Sequence, residues 1–226
     1  MKINKLKLFT RNLNEQKEFY KFILELELLE ETTDSFSVKV GESILTFVLG
    51  DDNTFYHFAF NIPSFQITES YEWIKQKIDT LTYEGKDIIR FESWNAEALY
   101  FYDADKNLVE FIARKNLNLI SQEKFSKENI LYISEIGIPT LDISKVFNTL
   151  NNESGLEIYD GDFESFCAIG NETGLFIVMN YLVKKWMPTM EEGKPSPFEI
   201  NFDNSHGEIF TLIYKNEEIK IIKDVR

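Results

Sequence analysis

The stretches YHFAFN, residues 56–61, and FYDADKNLVEF, residues 101–111, decide how this chain is read. The first is an alternating strand that carries one histidine, His57, and the second ends in a strand that carries one carboxylate, Glu110. A histidine and a carboxylate on separate strands can converge on one metal ion or one substrate. A carboxylate inside the apolar string LVEFIA is costly to bury unless something pairs with it or ligates it.

The surrounding elements repeat. Strand KINKLKLF, a helix through LNEQKEFYKFILEL opened by Asn12, and strands SFSVKV and SILTFVL about a turn at Gly41 form a first module. The order returns as YHFAFNI, a helix from near Ser64, DIIRFES, ALYFY and LVEFIA. After a polar helical connector beginning at Leu117, it returns again as LYISEIGI, helix ISKVFNTLNN, EIYDG, SFCAIG and GLFIVMN. A reduced fourth copy, FEINF, EIFTLIY and EIKIIKDV, leaves no room for a helix. Gapless superposition of the copies puts Lys5 and Glu135 where His57 stands, and Thr46 and Ile177 where Glu110 stands. Glu199 falls at or next to the first-strand position of the fourth copy.

The order of elements, with YHFAFNIP opening the second module and YDADKNLVEF closing it, resembles the vicinal oxygen chelate superfamily of glyoxalases, bleomycin resistance proteins and extradiol dioxygenases. Asp103, Asn107 and Glu110 match the ending D-P-x-G-N-x-x-E of that family, with Ala104 and Lys106 in place of its proline and glycine. The resemblance implies an α+β fold in which repeated βαβββ modules form cupped mixed sheets. It implies a first pair over residues 1–116 carrying the site, a connector at 117–127, and a degenerate second pair over 128–226. Carried over residue by residue, the site positions of the first pair are Lys5, Thr46, His57 and Glu110.

The family's chemistry implies a divalent metal, zinc, manganese, nickel or iron, acting as a Lewis acid on neighbouring substrate oxygens. His57 and Glu110 are ligands for it, Glu110 is also the catalytic carboxylate, and Glu97 is a candidate third oxygen. The second histidine of a two-histidine, one-carboxylate site is missing. Lys5, an ammonium without a lone pair, stands in its place. Lys5, Thr46, Asn61, Trp94 and Asn95 are the candidate substrate-binding residues. Two readings stand beside each other: a metal-dependent lyase, isomerase or dioxygenase for a small oxygenated molecule, and a metal-free small-molecule binding or resistance protein with Lys5 in its pocket. A third, structural role would have Lys5 and Glu110 as a buried pair.

Composition narrows the partners. Aromatic residues make up 15% of the 226 residues, enough to line a cavity, and the net charge of −14 disfavours nucleic acid and anionic lipid. No apolar run reaches the roughly 18 residues of a membrane span, and the N-terminal stretch lacks a signal-peptide core. A cytoplasmic monomer or homodimer is expected. Cys167 is the only cysteine, so no intrachain disulfide forms, and its apolar context predicts burial. His206, in the polar turn DNSHGE, is expected at the surface.

Overall fold

The computed structural model describes residues 1–50 and 53–224. The first module runs β1 (Lys2–Thr10), α1 (Leu13–Glu18) with a π-helical continuation over Phe19–Ile23, β2 (Leu28–Glu31), β3 (Ser35–Val40) and β4 (Ser43–Leu49). The second runs β5 (His57–Ile62), α2 (Ile67–Ile74), β6 (Thr80–Leu81), β7 (Ile89–Phe91), β8 (Ala96–Tyr102) and β9 (Leu108–Arg114). The third comprises β10 (Tyr132–Thr140), α3 (Ile143–Ser154), β11 (Ile158–Gly161), β12 (Phe166–Asn171) and β13 (Gly174–Asn180). A small hairpin, β14 (Lys185–Trp186) and β15 (Glu191–Glu192), precedes the helix-free fourth module, β16 (Phe198–Asp203), β17 (Ile209–Lys215) and β18 (Glu218–Lys223). The expected helical connector after Leu117 is instead extended chain with short 3-10 turns at Lys115–Leu117 and Lys127–Asn129.

The modules pair differently from their order in the chain. One sheet runs β18-β17-β16-β1-β4-β3-β2, joining the first module to the fourth. The other runs β11-β12-β13-β10-β5-β9-β8-β6, with β7 also on β8, joining the second module to the third. The expected pairing of modules one and two in a single cup is therefore corrected. In each sheet the first strands of two modules meet antiparallel, β1 on β16 and β5 on β10, while the last strand of a module runs parallel to its own first strand.

Alternation sorts the side chains of the site-bearing sheet. Phe58, Phe60, Val109, Phe111, Ile136, Ile138 and Val178 face a core shared with the helices and with Leu6, Leu8, Phe47, Phe198 and Phe202 of the other sheet. The opposite face presents Ala59, Ala98, Tyr100, Leu108, Ile112, Ile177 and Met179, grouped around Trp186 of the small hairpin. Burial of both faces explains why β9 has no exposed position. Cys167 is buried and His206 exposed, as expected.

The turn after β8 fastens the second module to the first. The carboxylate of Asp103 accepts five hydrogen bonds of 2.9–3.0 Å: from the backbone N–H of Asp105 and Asn107, the Asn107 amide, Gln16 on α1, and the Tyr20 hydroxyl. Burial pushes this carboxyl up to about 6, while the donors from Asn107, Gln16 and Tyr20 pull it back. Lys106, where the family pattern has glycine, takes φ 66°, the left-handed conformation that favours glycine. Asp103→Ala strands several buried donors at once and is expected to cost about 3 kcal/mol. Urea denaturation measures it, and a loss under about 1 kcal/mol would show that the turn is not a fastening.

Candidate metal centre and pocket

Three side chains from three strands meet on the outer face of the second sheet. Glu110 on β9 and Glu135 on β10 both lie in register with Ala59 of β5, one from each side, and His57 is two residues along β5. The methyl of Ala59 leaves space above it, so the two carboxylates approach each other and the imidazole. His57, Glu110 and Glu135 are each at most 6% exposed. One ligand atom from each lies within 4.8 Å of the others, so the three can hold a divalent metal.

The tautomer of His57 suits that role. Its Nδ1 lies 3.2 Å from the Leu108 carbonyl, which can only accept, so Nδ1 carries the proton and Nε2 carries the lone pair. Nε2 in turn stands 3.5 Å from Oε2 of Glu110. A lone pair facing a carboxylate oxygen is tolerable only with a proton or a cation between them. Burial depresses the imidazole to about 4, against the upward pull of the Leu108 carbonyl.

The two carboxylates differ. Arg114, at the end of β9 and wholly buried, donates through Nη2 to Oε1 of Glu135; burial pushes this carboxyl up and the guanidinium pulls it back. Burial and the charge of Glu135 push Glu110 well above the usual carboxylate range, although Tyr100 donates a hydrogen bond to it. Without a metal, the proton of the pair therefore resides on Glu110. A cation would displace it and find one neutral nitrogen and two carboxylate oxygens. The fourth position, by the repeat, is Ile177, which cannot ligate and leaves that side open.

This metal-free state has a pH signature. The unfolded chain takes up the histidine proton near 6.5 and the folded one near 4, so between these values the unfolded state binds more protons and stability rises with pH. Chelator-treated protein is expected to lose about 3 kcal/mol from this group as pH falls from roughly 6.5 to 4. His57→Gln should flatten that part of the stability profile; an unchanged slope would mean that His57 is not buried as a neutral base.

A pocket of about 420 Å³ opens onto these residues. Trp94, Phe91, Phe166, Tyr100 and Trp186 supply aromatic walls, and Asp160, Asp162, Lys184 and Lys185 are its charged lining. Trp186 is 6% exposed although its neighbours Leu182 and Val183 are 77% and 65% exposed, so this indole is what the hairpin inserts into the fold. Its ring lies 4.7 Å from that of His57. Gly137 makes room for it, since a Cβ there would come within 2.8 Å of the indole.

The residues expected from sequence divide accordingly. His57 and Glu110 converge, Trp94 lines the pocket, and Asn61 is buried two residues beyond Ala59, on the face of His57. Lys5 and Thr46 lie in the other sheet, where Lys5 is exposed and Thr46 is hydrogen-bonded to Ser37 at 2.9 Å, so neither reaches Glu110. Glu97 points to the opposite face of β8 from Tyr100 by alternation and is paired with Arg90 and Lys115. Asn95 takes a left-handed turn and donates to Asn116 at 2.7 Å instead of facing the pocket. Glu135 was legible as the repeat equivalent of His57 but not as a member of this site. Arg114, Tyr100 and Trp186 were not singled out; a guanidinium in register with Glu110 and Ile112 along an apolar strand was the available signal for the first.

No protein-family model matches the chain, and no curated protein matches it by sequence. Solved structures do. A Bacillus subtilis protein described as a proposed dioxygenase superposes with a TM-score of 0.66 at 12% identity, over 99% of this chain and 84% of that one. A glyoxalase I variant from Zea mays superposes with a TM-score of 0.60 at 11% identity, over 99% and 92%. The chain thus has the fold of the vicinal oxygen chelate superfamily, with two mixed sheets matching along its full length. Among the described residues no helix is long and apolar enough to cross a membrane.

Proposed function

We propose that this protein is a metal-dependent enzyme of the glyoxalase or dioxygenase kind, acting on a small oxygenated molecule in the 420 Å³ pocket. The observation that carries the reading is the His57 lone pair facing the buried carboxylate of Glu110, with that of Glu135 beside them and an aliphatic residue at the fourth position. Zinc, manganese, nickel or iron, held by His57, Glu110 and Glu135, would supply Lewis acidity toward adjacent substrate oxygens. Leu108 fixes the His57 ring, Arg114 aims Glu135, and Tyr100 orients Glu110. Glu110, whose proton affinity is raised by burial, is the carboxylate suited to move a substrate proton. Trp186 and the aromatic walls keep water from the reacting atoms.

Metal analysis of the purified protein, with melting temperatures measured after chelation and on adding each of the four ions, tests the proposal. Bound metal and a rise in melting temperature with at least one ion are expected. No metal and no rise would overturn it. The alternative of a metal-free binding protein with a Lys5-containing pocket loses its distinguishing residue, because Lys5 is exposed on the other sheet.

A further inference from the structure

The guanidinium of Arg114 is fully buried, and only Nη2 has an acceptor, Glu135. Nε and Nη1, which carry three of the five N–H donors of the group, have no partner among the described residues. Leaving charged donors unmade in the interior costs a few kcal/mol, so the position is built to receive an acceptor. The strand register puts two more unpartnered polar atoms on neighbouring strands. Asn61 Oδ1 is on the residue paired with Ile112, and Ser134 Oγ is on the residue before Glu135, where the β5–β10 register shifts.

The pocket ends beside this spot, and Arg114 itself lies just beneath its lining. Ile112, Glu135 and Trp94 all line it; the first two flank Arg114 by strand position and ion pair, and the indole of Trp94 covers the guanidinium at 5.2 Å. Trp94 stands on a three-residue 3-10 turn, half-buried, with its Nε1 bonded to Asp160. The Asp160 bond and ring contacts with Phe91, Tyr159 and Phe166 hold this cover in place, and it must turn aside for a ligand to reach the guanidinium. The planar fork of an arginine matches a carboxylate in shape and charge, while a dianion would meet a lining in which Glu135, Asp160 and Asp162 outnumber Lys184 and Lys185.

We infer that Arg114 is the anion-binding end of the pocket, and that the substrate is a small monocarboxylate whose carboxylate takes Nε and Nη1 while its other oxygens face His57, Glu110 and Glu135. The inference rests on the pocket being the substrate site. It adds to the metal reading a class of substrate and a group that selects it.

Calorimetric titration of chelated protein with benzoate, and with benzamide as the neutral molecule of the same shape, provides the test. Benzoate is expected to bind at least tenfold tighter than benzamide. It should bind Trp94→Ala at least as tightly as the wild type, since the cover is gone. It should lose tenfold or more in Arg114→Met/Glu135→Met, a double change that leaves neither partner of the ion pair buried alone. Equal affinity for the two probes, no benzoate binding to wild type and Trp94→Ala, or unchanged affinity in the double variant would overturn the inference and leave internal water as the partner of Arg114. These titrations contain no metal, so their failure is distinct from that of the metal proposal, which manganese titration of the same samples reports separately.

Discussion

Arg114→Met is expected to destabilise the chelated protein by about 3–5 kcal/mol, the largest single loss on this sheet. Methionine fills much of the volume of arginine, so packing is not the main cause. The loss comes from Glu135, which the substitution leaves as a carboxylate 3% exposed with no counter-ion. Part of the penalty would be escaped by protonating Glu135, so the variant should be least impaired at low pH. Adding Glu135→Met should restore most of the stability, because removing both charges of a buried pair is close to neutral whereas removing one is not. Urea denaturation of the two single variants and the double closes the cycle. A double variant no more stable than Arg114→Met would show that Arg114 supports the sheet by some route other than its charge.

Glu110→Gln is expected to lower affinity for divalent ions by more than about 100-fold, a larger effect than is usual for residues that only orient ligands. The amide keeps the shape and the approach of Tyr100 but lacks the charge that pairs with a cation. Two ligands, His57 and Glu135, would remain, and Glu135 already shares its charge with Arg114. Any metal-dependent turnover should disappear with the binding. The rise in melting temperature, worth about 2.7 kcal/mol at a free ion concentration 100 times the dissociation constant, should vanish as well. Because burial keeps Glu110 protonated in the metal-free protein, chelated Glu110→Gln should be as stable as chelated wild type, which separates ligation from folding. Retention of metal by Glu110→Gln would remove this residue from the centre.

Much of this was legible because strand alternation and repeat spacing are local. YHFAFN and LVEFIA show by themselves which side chains share a face, and the superposed copies give Glu135 and Ile177 as equivalents of His57 and Glu110. Which copies share a sheet is not local. β5 offers one edge to β9 of its own module and the other to any partner strand, and nothing in its six residues tells β10 from β1. Pairing by chain order put Lys5 and Thr46 beside His57, when the residue that meets it there is Glu135. The true register explains the lysines as well. In the other sheet Lys7 lies level with Thr46 and Glu199, as Ala59 lies level with Glu110 and Glu135, and its ammonium is 2.5 Å from Glu199. That sheet carries its own cation where the site-bearing sheet has a methyl group. Glu97 failed for a simpler reason: one residue along a strand changes the face.

The crossed pairing of modules also sets an order of assembly during synthesis. Residues 57–180 contain every strand of the site-bearing sheet, so that sheet can close before the fourth module has been made. β1 must wait for β16, and the ion pair between Lys7 and Glu199 spans 192 positions. A nascent chain elongating at about 5–20 residues per second would leave the free edge of β1 unpaired for several seconds or longer. Of the strands described, β1 comes earliest in the chain and is among the last to gain its second neighbour.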